Sequence, residues 1–260
     1  MEQGWLDRRV LGVAWDGTGY GTDGTVWGGE FLVCTAGEFE RVGRVKPFAL
    51  PGGEAAVREP WRTAVGLCGQ IGMKGGVADH ADWKVTEKQR QQVSQLAKNA
   101  KLSPPTSSAG RLIDAAAALV LGIGHVEYEG EAAMRLEAAA DRDVRGWYHF
   151  PVEDDEIEEL DWRPLFTGLL EDVQRGAEVG VIAMKFHRSL AHGIVGLCRR
   201  WRELPVVLCG GVFQNKLLTE LIAEMQSGFP QPLGLPGVIP TNDGGLAAGQ
   251  LAVAAAKQKA

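Results

Sequence analysis

Two aspartates that lie between an apolar segment and glycines are the residues best suited to chemistry in this sequence. Asp16 lies in WDGTGYG and Asp243 lies in TNDGGLAAGQ. An aspartate in either place on its own favours a turn cap. The two together predict a hard or borderline cation held beside phosphate oxygens. Because such a cation takes four or more ligands, two carboxylates predict an incomplete site.

Two glycine clusters near the end of the chain have the order of a strand, a turn and a helix. In LCGGVFQN, Gly210 and Gly211 follow an apolar strand, and NDGG repeats this layout about thirty residues later. Either cluster alone favours an ordinary strand–helix turn. Two such turns in one sheet predict a nucleotide whose phosphate meets backbone N–H groups. Neither cluster has the glycine spacing of a Rossmann or P-loop motif.

The segment SSAGRLID, followed by YEGE, is the remaining candidate. Ser107 or Ser108 is suited to cap an alanine-rich helix that ends near Gly122. Asp114 on this helix is placed either to face a ribose hydroxyl or to form a surface salt bridge.

Histidine and cysteine patterns indicate neither a metal motif nor a nucleophile. No histidine pair has the i, i+4 spacing of a helical metal site, and no serine or cysteine lies in a nucleophile elbow. The isolated cysteines favour buried thiols in a reducing cytoplasm. The histidines are His80, His125, His149, His187 and His192, and the cysteines are Cys34, Cys68, Cys198 and Cys209.

The elements that must position these residues alternate between strands and helices. Strands are predicted at 10–14, 25–33, 38–46, 147–152, 206–208 and 233–235. Helices are predicted from residue 54 with a break at Pro60, and over 84–101, 108–122, 130–140, 162–175, 179–201, 216–225 and 244–255. The acidic run 153–159 is predicted as a solvated segment before a helix.

Charge and hydropathy exclude some classes of protein. The net charge of −6 argues against a binder of nucleic-acid backbones. No apolar run reaches the roughly 18 residues of a membrane span, and no segment has the order of a secretory signal. A cytoplasmic protein without an internal linker is therefore predicted over the 260 residues.

Six segments in order carry a family resemblance. They are VLGVAWDGTGYGTDGTVWGGEFL, FALPGGEAAVREPWR, SSAGRLIDAAAALVLGI, YEGEAAMRLE, CGGVFQNKLL and TNDGGLAAGQ. Together they resemble the C-terminal carbamoyltransferase domain of HypF, a maturation protein of nickel–iron hydrogenases. More distantly the chain is similar to TsaD, the tRNA threonylcarbamoyladenosine transferase. The resemblance implies an α/β fold of the ASKHA (actin-like ATPase, RNase H-like) type, mostly its second lobe with helical insertions.

The resemblance also implies a reaction. A carbamoyl-adenylate, made from carbamoyl phosphate and ATP in other domains, passes its carbamoyl group to the C-terminal cysteine thiol of a HypE-like partner. AMP leaves, and the thiocarbamate becomes a cyanide ligand of the hydrogenase iron. Because the partner supplies the thiol, the enzyme needs no covalent nucleophile.

Specific residues follow from the same resemblance. Asp16 and Asp243 are implied to ligate a divalent metal (zinc, iron or magnesium). Asp114 and Glu131 are implied to hold the ribose hydroxyls. The implied nucleotide-binding residues are Gly17, Thr18, Gly19, Gly110, Asp114, Glu131, Gly210, Gly211 and Asn215.

One departure from the family pattern concerns the metal. The family has an HHHAH motif ahead of the DGTGYG segment, and this sequence has none there. We therefore expect residues 1–260 to be part of such a domain, without the upstream lobe and without the acylphosphatase, zinc-finger and adenylate-forming domains. Two alternatives stay open: a non-catalytic module that docks HypE or complements a lobe, and a TsaD-like tRNA transferase. The acidic charge and the YEGE and EPWR segments speak against the latter.

Overall fold

A computed structural model describes residues 1–72, 83–225 and 231–258. These residues form a mixed α/β fold around one sheet. The strands are β1 (Val10–Tyr20), β2 (Val26–Cys34), β3 (Phe39–Val45), β4 (Phe48–Ala49), β5 (Pro105–Thr106), β6 (Val152–Asp154), β7 (Glu158–Leu160), β8 (Val206–Cys209) and β9 (Leu233–Gly234). The helices are α1 (Ala55–Arg58), α2 (Pro60–Gln70), α3 (Glu87–Leu96), α4 (Ala109–Leu121), α5 (Glu131–Ala139), α6 (Trp162–Gln174), α7 (Val179–Cys198), α8 (Lys216–Glu224) and α9 (Leu246–Lys257).

The sheet has β1 near its centre. Its order is β6-β7-β3-β2-β1-β8-β9, with β4 and β5 paired beside β2. β1, β2 and β3 form an antiparallel meander, whereas β8 pairs in parallel with both β1 and β9. In the parallel register, Ala14 of β1 lies opposite Cys209 of β8. The next residues of both strands therefore come out at the same edge of the sheet.

Helix α4 covers the centre of the sheet. Eleven of its thirteen residues, from Ala109 to Leu119, are buried. Small alanine side chains let this helix approach β1, α2 and α5 closely. In β1, Leu11, Val13 and Trp15 are fully buried, and the indole of Trp15 stacks on the ring of Phe213 at 6.4 Å between centroids. The core thus holds the segment before Asp16 firmly in place.

The prediction that the first strand stops before a glycine loop is wrong. β1 continues to Tyr20, with an irregularity in its pairing to β2. Trp15 pairs with Gly29 and Gly19 pairs with Trp27, so three β1 residues lie opposite one β2 residue. This bulge, rather than a loop, turns Asp16 and Gly17 out of the ladder.

The predictions for residues 147–159 are also wrong. Residues 147–151 have no strand assignment, and the acidic run forms β6 and β7 instead of a solvated segment before a helix. Charges from β3 and the residue after it explain the difference: Arg44 pairs with Glu159 at 2.7 Å, and Lys46 pairs with Glu153 and Glu159. The carboxylates therefore dock the hairpin on the sheet.

Most other predicted elements are confirmed, with shifted ends. Pro60 is the first residue of α2, as the predicted break requires, and Ser108 rather than Ser107 caps α4. α3 starts later than the predicted 84–101 because Thr86 begins it with a capping box, and it ends earlier, at Leu96. Among the described residues, no helix is long and apolar enough to cross a membrane.

Replacing Gly210 with alanine tests the contact between β1 and the turn after β8. Gly210 has a φ of 99°, and a Cβ there would lie 2.1 Å from the carbonyl oxygen of Trp15. We expect Gly210→Ala to lower the free energy of unfolding by more than about 2 kcal/mol in urea titrations. The matched control is Gly69→Ala in α2, where a Cβ would contact nothing within 4 Å; it should change stability by less than about 1 kcal/mol. Equal effects of the two changes would contradict this account.

Candidate functional site

A cavity of about 470 Å³ opens where the bulge of β1 meets the turn after β8. Its wall combines that bulge, the first half of α4, the start of α5, the turn after β8 and the loop before α9. The lining residues are Asp16, Gly17, Gly110, Arg111, Ile113, Asp114, Glu129, Gly130, Ala133, Met134, Glu137, Gly211, Val212, Gln214, Asn215, Asn242 and Asp243. Residues of the WDGTGYG, SSAGRLID, YEGE, CGGVFQN and NDGG segments thus line one cavity.

Asp16 ties two backbone segments of this cavity together. Its Oδ1 accepts a hydrogen bond from the N–H of Gly17 at 2.7 Å. Its Oδ2 accepts one from the N–H of Gly211 at 3.1 Å. Charge-assisted bonds of this kind are stronger than neutral ones. The carboxylate therefore fixes the β1 bulge against the turn after β8.

Close backbone contacts account for several glycines of the motifs. A Cβ on Gly110 would lie 2.7 Å from Cα of Gly17, and one on Gly211 would lie 3.0 Å from Oδ1 of Asp16. The N–H of Gly210 donates to the carbonyl of Thr241 at 2.9 Å, which anchors the loop that carries Asp243. The N–H groups of Gly210 and Gly211 are thus both bonded within the protein.

Asp114 forms a buried ion pair in the cavity wall rather than a surface salt bridge. Its Oδ2 lies 3.0 Å from Nη1 of Arg111, and both side chains are more than nine-tenths buried. Burial raises the pKa of Asp114 to about 6; the charge of Arg111 opposes this rise and that of Glu129 adds to it. The sequence reasoning missed Arg111, although its place three residues before Asp114 on a helix is a signal for such a pair.

Asn215 is held on two sides. Its Oδ1 accepts from the N–H of Leu218 at 2.8 Å and so caps α8. Its Nδ2 lies 3.0 Å from Nε2 of His187, whose Nδ1 lies 2.8 Å from the carbonyl oxygen of Ala183. The side chain of Glu137 accepts from the N–H of Leu217 at 2.8 Å. Two N–H groups at the start of α8 are therefore taken by side chains of the protein.

His187 is the histidine that contributes to this region. It is fully buried, and burial lowers its pKa to about 4 despite the opposing bond to Ala183. His192 instead packs against Trp147, with the ring centroids 4.3 Å apart and the ring planes tilted by 31°. His80 lies outside the described residues.

The structure brings most but not all of the predicted site residues to the cavity. Those that line it are Asp16, Gly17, Gly110, Asp114, Gly211, Asn215 and Asp243. Those that do not are Thr18, Gly19, Glu131 and Gly210. The carboxylate of Glu131 accepts from the N–H of Glu127 at 2.7 Å and pairs with Arg135. Glu129, which the sequence reasoning missed, lines the cavity from the same YEGE segment.

The donor set does not by itself fit a resident metal. Asp16 and Asp243 line the same cavity. Across 1–72, 83–225 and 231–258, no three histidine, cysteine, aspartate or glutamate side chains come close enough to hold a metal ion. Two carboxylates fall short of the four or more ligands of such an ion. No chemical step is therefore assigned to a metal here.

A family model matches residues 12–250 of the chain. It describes the second subdomain of the carbamoyltransferase, Kae1-like domain. The chain belongs to this family. The resemblance to HypF is thereby confirmed, and so is the α/β fold of the Kae1-like, actin-like ATPase type.

Individual HypF proteins agree with this assignment. The carbamoyltransferase HypF of Rhodobacter capsulatus is 42% identical over 96% of this chain and 32% of its own length. The HypF of Synechocystis is 34% identical over 96% of this chain and 34% of its own. The chain thus spans about a third of the length of these relatives. A shorter HypF homologue of Cupriavidus necator is 36% identical and is covered over 66% of its length.

Solved HypF structures have the same fold. Full-length HypF in its phosphate- and nucleotide-bound form superimposes with a TM-score of 0.87 at 32% identity, over 98% of this chain and 34% of that one. HypF of T. kodakarensis gives a TM-score of 0.84 at 30% identity, over 96% of this chain and 34% of that one.

The buried His187 makes stability depend on pH. Its folded pKa of about 4 lies below the ordinary 6.5, so below pH 6.5 the unfolded chain takes up a proton that the folded chain refuses. This contribution to stability is present above pH 6.5 and is lost as pH falls towards 4. Between pH 7 and pH 5 the unfolding free energy should fall by about 2 kcal/mol more in the wild type than in His187→Gln, as urea titrations measure. Identical pH profiles of the two proteins would contradict the burial of a neutral imidazole.

Proposed function

We propose that this chain forms the carbamoyl-adenylate-binding part of a HypF-type carbamoyltransferase. The carbamoyl group passes from the adenylate to the C-terminal cysteine thiol of a HypE-type partner, for the cyanide ligand of a [NiFe]-hydrogenase. One observation carries the proposal: in a chain of this family, the WDGTGYG, SSAGRLID, YEGE, CGGVFQN and NDGG segments all line one cavity.

The volume of the cavity and the solved structures of similar proteins support the binding of a nucleotide. A volume of about 470 Å³ lies within the range of small-molecule sites. A HypF in a phosphate- and nucleotide-bound form superimposes on nearly the whole chain. We therefore place ATP-derived carbamoyl-adenylate, and the AMP that remains, in this cavity.

The charged side chains of the cavity wall suit two different parts of the ligand, the ribose and the phosphate. Carboxylates accept hydrogen bonds, and this favours ribose hydroxyls next to Asp114 and Glu129. The guanidinium of Arg111 is the complementary group for phosphate oxygens. Asp114 and Arg111 are held together at 3.0 Å, so a sugar and its phosphate suit neighbouring parts of the wall.

The transfer needs orientation rather than a nucleophile from this chain. The partner's thiol sulfur forms a bond to the carbamoyl carbon, the bond from that carbon to the phosphate oxygen breaks, AMP leaves with the electron pair of that bond, and the thiol proton passes to solvent. The groups of the cavity hold the carbamoyl carbon in line with the thiol and exclude water. Asp16 and Asp243 are proposed to supply two ligands of a divalent metal, and no step is assigned to it.

The unbridged cysteines bear on the cellular compartment that we propose for the protein. In the described residues Cys34, Cys68, Cys198 and Cys209 are all unbridged. Free thiols suit a reducing compartment, and we therefore propose the cytoplasm. The net charge of −6 disfavours tRNA as the acceptor.

A second candidate is a non-catalytic module that docks HypE or completes a partner chain. The observation that favours it is the pair Asp16 and Asp243, which offers too few ligands for a metal among the described residues. Binding of a HypE-type protein without carbamoyl transfer in any reconstitution would select this candidate.

Loss of the Asp243 carboxylate tests the leading proposal. Transfer of labelled carbamoyl to a HypE-type protein is measured with carbamoyl phosphate and ATP, and with the remaining HypF domains supplied as a separate polypeptide. We expect Asp243→Ala to slow transfer at least about tenfold, because the cavity loses a carboxylate that faces the ligand.

The matched control for this experiment is Asp143→Asn. Asp143 is exposed and lies outside the cavity wall, so its loss should leave the rate unchanged. Wild-type rates from Asp243→Ala would contradict the assignment of Asp243 as a metal ligand at the site. Product formation that depends on tRNA instead of HypE would overturn the assignment of the acceptor.

A further inference from the structure

A buried histidine decides which group of Asn215 faces the cavity. His187 lies on α7, is fully buried and does not line the cavity itself, but it contacts Asn215, which does. Its two ring nitrogens have different partners, Ala183 on one side and Asn215 on the other. Because the partner of Nδ1 is a carbonyl oxygen, it determines which ring nitrogen of His187 donates a hydrogen bond and which one accepts.

The carbonyl oxygen of Ala183 fixes the tautomer of the ring. A carbonyl oxygen only accepts, so Nδ1 of His187 must carry the proton across the 2.8 Å contact. The low pKa of this ring keeps it neutral at physiological pH, and Nε2 is then a bare acceptor. Nε2 accordingly takes a hydrogen bond from Asn215 across 3.0 Å.

The amide of Asn215 is thereby oriented from both ends. Its Oδ1 accepts from the N–H of Leu218 at 2.8 Å, and a flipped amide would set N–H against N–H there. One hydrogen of Nδ2 goes to His187. The second hydrogen has no acceptor among the described residues, and Asn215 lines the cavity. A donor, not an acceptor, is therefore what this amide offers to a ligand.

We infer that His187 is a positioning residue that fixes Asn215 so that its free amide N–H meets an acceptor oxygen of the bound adenylate. This inference rests on the proposed function for the identity of the ligand. Both phosphate and ribose oxygens accept such a bond. A contact with a ribose oxygen would also form with adenosine, which has no phosphate, whereas a contact with a phosphate oxygen would form only with AMP.

The first experiment reads the ring directly and needs no ligand. Heteronuclear NMR correlation of the histidine ring nitrogens in the wild-type chain identifies which nitrogen of His187 carries the proton. The expected result is protonated Nδ1 and bare Nε2. A proton on Nε2 would overturn the inference whatever the chain binds.

The second experiment compares affinities by calorimetric titration with AMP and with adenosine. His187→Leu removes the acceptor, and Asn215→Asp removes the donor; each should weaken AMP binding about tenfold. His187→Gln is the conservative variant, because its side-chain oxygen can replace Nε2 as acceptor, and it should stay within about threefold of the wild type. If adenosine shows the same losses, the acceptor is a ribose oxygen; if only AMP does, it is a phosphate oxygen.

The outcomes separate the inference from the proposed function. Full AMP affinity in both His187→Leu and Asn215→Asp would contradict the inference and leave the proposed function intact. Equal losses in His187→Gln and His187→Leu would also contradict it, because a merely structural role would not be rescued by an acceptor. A wild-type chain that binds neither AMP nor adenosine would contradict the proposed function and the ligand contact with it.

Discussion

The contact between the main chain of β1 and the turn after β8 decides where the cavity forms. Parallel pairing brings the two strands to one edge, and the carbonyl of Trp15 leaves no space for a side chain at Gly210. Asp16 then joins the bulge to the turn through the N–H groups of Gly17 and Gly211. The same carboxylate that sequence patterns place beside a ligand is therefore also the clamp that builds the wall.

Local signals in the sequence predict much of this arrangement. Pro60 starts a helix and Ser108 caps another, because both effects depend on a few neighbouring residues. The glycine motifs around Asp16 and Asp243 predicted that both would lie at one site, and both line one cavity, although β1 runs past Asp16 to Tyr20 instead of ending there.

Some features that the sequence did not predict depend on contacts between segments far apart in the chain, and such contacts leave no pattern in a single sequence. The acidic run became two strands because Arg44 and Lys46, more than a hundred residues earlier, pair with it. The choice between Glu129 and Glu131 is local instead: Glu131 is bonded to Arg135 and to the N–H of Glu127, each four residues away, and Glu129 lines the cavity.

The central claim is that an adenylate binds against α4, α5 and the turn after β8. Photolabelling with azido-AMP, followed by peptide mapping of the labelled chain, tests it most directly. The account predicts label on peptides that contain Arg111, Met134 or Gln214, and its suppression by excess AMP. Label confined to a different cavity, such as the one around Trp27 and Arg41, would contradict the account.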